Sequence, residues 1–329
     1  ISGELHNYRQ GLDAHCNTSF DYFCDIYAEY LPKGIKEVLN EKAGAVEQLD
    51  YLYHQCELAG QQIYLFIDEY DHFTNAILSD AESIHRYTEE THKEGYLRAF
   101  FNRVKAGTYS SIKRCFITGV SPVTMDDLTS GFNIGTNYSL TPKFNAMMGF
   151  TEDEVREMLT YYSTKAPFHH TVDELIELMK PWYDNYCFSE ACLNSKVRVF
   201  NCDMVLYYLR NYMDDGKAPK QMIDPNTKTD YNKMKRLLQL DKLDGNRKGS
   251  IRRITEEGSI VSNLYETFPA SEIVKPEYFP SLLFYYGMLT IKDTFGEQVI
   301  FGIPNKSEMK RMEEIETFIL NYQNKNEKD

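Results

Sequence analysis

The tightest constraint on the fold is a pair of short apolar runs. The first, IYLFI at Ile63–Ile67, stops at Asp68 and Glu69; the second, SIKRCFITGV at residues 111–120, runs to Thr118 and Gly119. Both have strand length and are rich in β-branched and aromatic residues. Between them Tyr96, Phe100 and Val104 recur at helical spacing, and Gly107 supplies a stop. Strand, helix, strand with both strands apolar throughout predicts an α/β fold with adjacent parallel strands covered on both faces. Parallel strands joined through a helix end on one edge of the sheet, so Asp68, Glu69 and Thr118 are expected together.

The rest of the chain organises around that unit. Phe23, Ile26, Tyr27 and Tyr30, then Leu49, Leu52, Tyr53 and Cys56, predict two helices within residues 20–59. Past Pro142 the strand signal fades. Thr151 with Glu154 three residues on is a capping box, and residues 147–210 read as helical. Residues 276–286 form an apolar helix pattern, and MLTIKDTFGEQVIFGIPN predicts two strands about a turn from Asp293 to Gly296, together a winged-helix-like shape over residues 220–305. Met309, Met312, Ile315, Phe318, Ile319 and Tyr322 share one helical face before the polar QNKNEKD end. The expected division is an α/β core at 1–142, a helical subdomain at 143–215, a winged-helix-like domain at 216–305 and a C-terminal helix or linker at 306–329.

Composition excludes several classes. With 42% hydrophobic and 26% charged residues among 329, the chain fits neither a disordered nor a fibrous class. Its longest apolar stretches, IYLFI and SLLFYYGMLTI, fall short of the roughly 20 residues that span a bilayer, so no membrane helix is expected. Seven scattered cysteines without a CxxC pair suit a reducing compartment, the cytoplasm, and argue against structural zinc. His169 and His170 are adjacent, and His72, His85 and His92 lack i,i+4 partners, which argues against a histidine metal site. The chain opens ISGELHNYRQ, without an initiator Met or a signal peptide, so a start inside a longer protein is expected.

A net charge of −13 argues against a surface-wide nucleic-acid footprint. One local exception stands out. In residues 228–253, Lys228, Lys233, Lys235, Arg236, Lys242, Arg247, Lys248, Arg252 and Arg253 face only Asp230, Asp241 and Asp244. A solvated helical surface is the plainer reading; contact with DNA is the sharper one.

Acids at the carboxyl edge of a parallel sheet lie where such sheets bind ligands. In nucleotide hydrolases this is the Walker B arrangement: the Asp helps hold Mg²⁺ beside the phosphates, and the following Glu orients or deprotonates the attacking water. Asp68 is therefore the candidate Mg²⁺ ligand and Glu69 the candidate base, with Asp71 grouped beside Asp68 on the nucleotide side. Thr118 ends the neighbouring strand, where a hydroxyl can sense a γ-phosphate or the water. The plainer readings are a solvated strand end and an ordinary strand-end hydroxyl.

Several ordered segments together resemble one family, the predicted AAA-ATPase-like proteins of bacteria and archaea. They are LFIDEYDHF, FITGVSP, GFTEDEV, WYDNYCFS, VFNCDMVLYYL, YYGMLTI and FGIPN. Asn185 stands where the family usually has Gly, and Cys202 where Pro is typical after Asn201. The resemblance implies a P-loop NTPase-type sheet core followed by a helical lid and a winged-helix-like domain, ATP and Mg²⁺ as cofactors, and often a C-terminal PD-(D/E)xK nuclease-like domain. Members carry an upstream phosphate-binding loop. Here the lone Gly-Lys step, Gly216-Lys217, continues with Ala218 and has no Gly five positions earlier. The chain is either a fragment starting after that loop, which the Ile1 start favours, or a degenerate copy. An ATPase switch beside a nuclease-like partner and a non-enzymatic winged-helix binding module are the two readings. Tyr183, Asp184 and Tyr186 are expected to tie a turn rather than to catalyse, and Arg98, Arg103 and Arg114 are arginines without an assigned role.

Overall fold

The computed structural model describes residues 8–71, 95–120, 122, 135–195, 197–228, 247–267, 269, 272 and 275–326. The chain forms two compact units, one of residues 1–135 with 267–272 and one of residues 136–266 with 273–329.

In the first unit α1 (Tyr8–Ile26), α2 (Ile35–Asn40) and α3 (Ala45–Leu58) precede β1 (Ile63–Ile67), and α4 (Tyr96–Gly107) leads into β2 (Ile112–Ile117). The first three helices bury Cys24, Leu31, Ile35, Leu39, Leu52 and Cys56, and Ile63 of β1 packs against this core. Asp13 of α1 joins three elements. Its carboxylate accepts the Ala45 N–H at 2.7 Å, where Gly44 offers no side-chain cap to α3, and the Tyr96 hydroxyl from the first turn of α4. A carboxylate there satisfies an orphan donor and complements the helix dipole. Ser111 then anchors the entry to β2 by donating its hydroxyl to the Tyr53 carbonyl at 2.5 Å.

The two strands pair in parallel, with Leu65 opposite Cys115 and Ile67 opposite Ile117, as the strand-helix-strand pattern predicts. Their burial departs from expectation. Tyr64 and Phe66 are 61% and 71% exposed, and Phe116 of β2 lies beside Phe66 with ring centroids 6.3 Å apart. Successive side chains leave a strand on opposite faces: Ile63 joins the helical core, while Tyr64 and Phe66 leave on the side that the described helices do not cover. An apolar run alone cannot tell a strand covered on both faces from one covered on a single face.

The second unit opens with β3 (Phe150–Thr151), paired antiparallel with β4 (Val199–Phe200). Around this pair lie α5 (Glu152–Ser163), α6 (Val172–Tyr183) and α7 (Cys202–Asp215). Thr151 and Glu154 form the expected reciprocal capping box at the start of α5, and Thr171 with Glu174 repeats it at α6. Asn201 caps α7, its Oδ1 accepting the Met204 N–H at 3.1 Å. Val155, Leu159, Ile176, Met179, Phe200 and Tyr208 lie in the shared core.

Next come α8 (Arg247–Glu257), β5 (Ser259–Ser262), α9 (Phe279–Tyr285), β6 (Thr290–Phe295), β7 (Gln298–Gly302) and α10 (Lys306–Asn326). The strands form an antiparallel sheet in the order β5-β7-β6. The hairpin exists, but its turn sits later than expected. Phe295 pairs with Gln298, so Gly296 and Glu297 make the turn, while Asp293 and Thr294 belong to β6. Gly296 alone of the two has positive φ, 64°, which is what a type II′ turn asks of its first central residue. Met312, Ile315 and Ile319 of α10 are buried, as its periodicity predicts.

Candidate functional site

The carboxyl edge of the β1–β2 pair assembles from backbone rules alone. The parallel ladder continues past the strands: Thr118 N–H donates to the Ile67 carbonyl at 2.8 Å, and Tyr70 N–H to the Thr118 carbonyl at 3.0 Å. Thr118 therefore arrives beside Asp68, and its hydroxyl donates to Asp68 Oδ1. The same oxygen accepts the Glu69 N–H at 3.0 Å. Asp68 and Glu69 are exposed and Thr118 is half-buried.

Glu69 sits at φ 52°, in the left-handed region. That conformation costs a side-chain-bearing residue about 1–2 kcal/mol. Such strain gathers where a binding site dictates the backbone. Asp71 has a different setting from its two acidic neighbours: it is 1% exposed, and its two oxygens accept the Val120 N–H at 3.1 and 3.2 Å.

Hard oxygen donors on an exposed edge, the Asp68 carboxylate with the Thr118 hydroxyl and Glu69 alongside, fit a Mg²⁺ ion that keeps most of its waters or takes phosphate oxygens. Among the described residues no group of three or more His, Cys, Asp or Glu could enclose a metal, so the fit is to an open, partly hydrated ion. Residues 1–329 contain no glycine-rich phosphate loop, so the donor set matches the cation and leaves the triphosphate uncradled.

The three arginines without an assigned role have these settings. Arg103 pairs with Asp50 at 3.2 Å, linking α4 to α3. Arg114 is exposed on β2, opposite Tyr64. Arg98 lies in the first turn of α4.

The WYDNYCFS segment knits the second unit. Tyr183 is fully buried and donates to the Met222 carbonyl at 2.6 Å; Tyr186 donates to Glu308 Oε1 at 3.2 Å. Asn185 occupies φ 84° and donates to the Pro304 carbonyl at 2.9 Å, while Asn305 Nδ2 donates to the Asp184 carbonyl at 3.0 Å. Asn145 Oδ1 accepts the Phe188 and Ser189 N–H groups at 2.8 and 3.1 Å. Asn tolerates that left-handed conformation better than most residues other than Gly.

Burial raises the Asp184 carboxyl and pushes that of Glu308 up to about 8, the Tyr186 hydrogen bond opposing the second shift. Arg311 lies 2.7 Å from Glu308 as its counter-ion. Sequence reasoning missed Glu308, Asn145 and the Thr171 box. The box was findable, because T-x-x-E occurs at 171–174 as it does at 151–154.

The basic stretch is less basic than its sequence window. Arg247 is 1% exposed, with its guanidinium carbon 5.5 Å from the centre of the Phe279 ring. Arg252 pairs with Glu256 at 3.1 Å and Arg253 with Glu257 at 3.0 Å. These acids lie one helical turn beyond the basic run, so the count over 228–253 left them out. Lys233, Lys235, Arg236 and Lys242 lie outside the described residues, as do His72, His85 and His92. Among the described residues no helix is long and apolar enough to cross a membrane.

Residues 4–129 match the model of an AAA-ATPase-like family described as predicted AAA-ATPase. That stretch contains both strands and every residue of the edge described above, and its sequence is similar to that family. No curated protein and no solved structure matches the chain.

Proposed function

We propose that the first unit is the cation-holding and water-positioning part of an ATPase of the P-loop kind, with ATP and Mg²⁺ as its ligands. One observation carries this reading: the Thr118 hydroxyl meets the Asp68 carboxylate at the shared end of two parallel strands, inside the AAA-ATPase-like stretch. Asp68 would hold the Mg²⁺, which when bound supplies the positive charge that binds and activates the phosphates. Glu69 beside it would orient the attacking water and take up its proton. Thr118 would report on the phosphate or the water through the hydroxyl it now gives to Asp68. A nuclease-like C-terminal partner domain and coupling of nucleotide state to nucleic-acid work belong to this proposal as its biological setting.

The phosphate cradle is not among residues 1–329, and its energetics decide the test. Several charge-assisted hydrogen bonds, each worth about 1.5–3 kcal/mol, together match the roughly 8 kcal/mol of a micromolar affinity. Titration calorimetry should find no useful MgATP binding to residues 1–329. A chain extended at its N-terminus by a G-x-x-x-x-G-K-S/T loop unit should bind. In that longer chain Glu69→Gln should keep ATP bound while slowing its turnover. Micromolar MgATP binding by residues 1–329 alone would contradict the cradle argument, and undiminished turnover by Glu69→Gln would remove Glu69 from its role.

A second reading rests on the sheet order β5-β7-β6 preceded by α8. We propose it as a winged-helix-like binding module, with DNA contact through residues 228–253 as its sharpest form. The burial of Arg247 and the pairing of Arg252 and Arg253 weaken that form. DNA binding that falls steeply with salt, and falls further on charge reversal at Arg252 and Arg253, would restore it.

A further inference from the structure

We propose that Asp71 is a positioning residue: it locks the loop after β2 onto the turn after β1 and so holds the Thr118 hydroxyl against Asp68. Three consecutive residues of one loop are gripped by the other. Thr118 accepts the Tyr70 N–H at 3.0 Å, and Val120 donates to both Asp71 oxygens at 3.1 and 3.2 Å. Between them Gly119 is approached so closely that a Cβ there would lie 2.4 Å from Tyr70 Cε1 and 2.7 Å from Asp71 Oδ1. No side chain fits at position 119 while Tyr70 and Asp71 keep their places.

A backbone N–H given to a carboxylate is a charge-assisted bond, about twice as strong as a neutral one. Here the acceptor is 1% exposed although Val120 itself is 45% exposed, so the bond draws the chain end of the loop onto a buried carboxylate. The Thr118 rotor is thereby carried on a fixed backbone, and a site of this kind needs its parts held to within about 0.5 Å. The same burial separates Asp71 from Asp68: a carboxylate turned inward and spent on Val120 is badly placed to meet a ligand on the exposed edge. On this proposal Asp71 leaves the group in which the sequence set it beside Asp68.

The inference rests on the reading of Asp68 as a cation ligand only for its functional consequence, and the experiment separates the two. Asp71→Asn, Asp71→Ala and Gly119→Ala would be compared in the full chain by hydrogen exchange at the Val120 amide and by Mn²⁺ titration followed by electron paramagnetic resonance. Asn keeps the shape and one acceptor oxygen without the charge. A positioning role predicts, for Asp71→Asn, exchange at Val120 intermediate between the parent and Asp71→Ala, with Mn²⁺ affinity close to the parent's. It predicts exchange faster by about 10-fold or more, the equivalent of one such hydrogen bond, together with weakened Mn²⁺ binding, for Asp71→Ala and Gly119→Ala.

If Asp71 were itself a ligand, Asn and Ala would weaken Mn²⁺ alike while Gly119→Ala spared it, and the proposal would be overturned. Unchanged Val120 exchange in Asp71→Ala would overturn it as well. Absence of Mn²⁺ binding to the parent protein would count against the Asp68 reading alone, leaving the exchange result to decide the lock.

Discussion

Two turns in this protein put a residue other than glycine into the left-handed region, and they answer to different masters. Among the described residues these are Glu69 at φ 52° and Asn185 at φ 84°. Around Asn185 the neighbours are consumed by packing: Tyr183, Tyr186 and Cys187 are buried, and the side chain of Asn185 itself is tied to Pro304. Around Glu69 the neighbours divide: Tyr70 is half-buried and Asp71 is 1% exposed, while the strand-end acids face out. Asp68 and Glu69 are exposed carboxylates, and Asp68 is held by short-range bonds at the strand ends. Strain beside exposed carboxylates is what a ligand site would show, whereas strain surrounded on all sides by buried contacts is the pattern of a structural clasp.

Stability measurements can break that contrast. Tyr183→Ala removes a fully buried ring and its hydrogen bond, so chemical denaturation should show a loss of about 3–5 kcal/mol. Next in size is Asn145→Ala, which strands the Phe188 and Ser189 N–H groups and should cost about 3 kcal/mol by the same method. If either loss fell below about 1 kcal/mol, the 182–189 segment would not be a clasp.

The buried Glu308 sharpens the contrast through pH. Burial lifts its carboxyl from an ordinary 4.5 to about 8. Between those values the folded state keeps a proton that the unfolded state has released. Its contribution to stability is therefore full below the lower value, falls as pH rises through the window, and levels off above the upper one. The slope is at most ~1.4 kcal/mol per pH unit. Denaturation at several pH values should show the slope in the parent chain and a flatter profile in Glu308→Gln.

The smallest effects belong to the exposed turn. Glu69→Gly relieves the left-handed strain and should raise stability by about 1 kcal/mol, while Asp68→Ala should stay within about 0.5 kcal/mol of the parent. A large loss in Asp68→Ala would make that turn structural and remove the contrast.

How much of this was legible in the sequence follows from which interactions are local. The parallel pair, the meeting of Asp68 with Thr118, the Thr151 box and the buried stripe of α10 all follow from period, punctuation and chain direction, which neighbouring residues encode. Facts that depend on partners remote in sequence were not readable. The exposure of Tyr64 and Phe66 depends on which faces other elements cover. Glu308 meets Tyr186 across more than a hundred positions, and nothing in SEMKRM marks a buried carboxylate. The burial of Asp71 was not readable because three acids within four residues look alike as letters, while the turn sends the third one inward. The hairpin turn falls later than the sequence suggests because the Phe295–Gln298 pairing makes Gly296 the first central residue, which a glycine in sequence does not reveal.

The contrast between the two turns is tested most directly by paramagnetic broadening of backbone amide signals as Mn²⁺ is titrated into the protein. The account predicts broadening centred on residues 68–71 and 118–120, none centred on residues 182–189, and loss of the effect in Asp68→Ala. Broadening centred on Asp184, or broadening at residues 68–71 that survives Asp68→Ala, would contradict it.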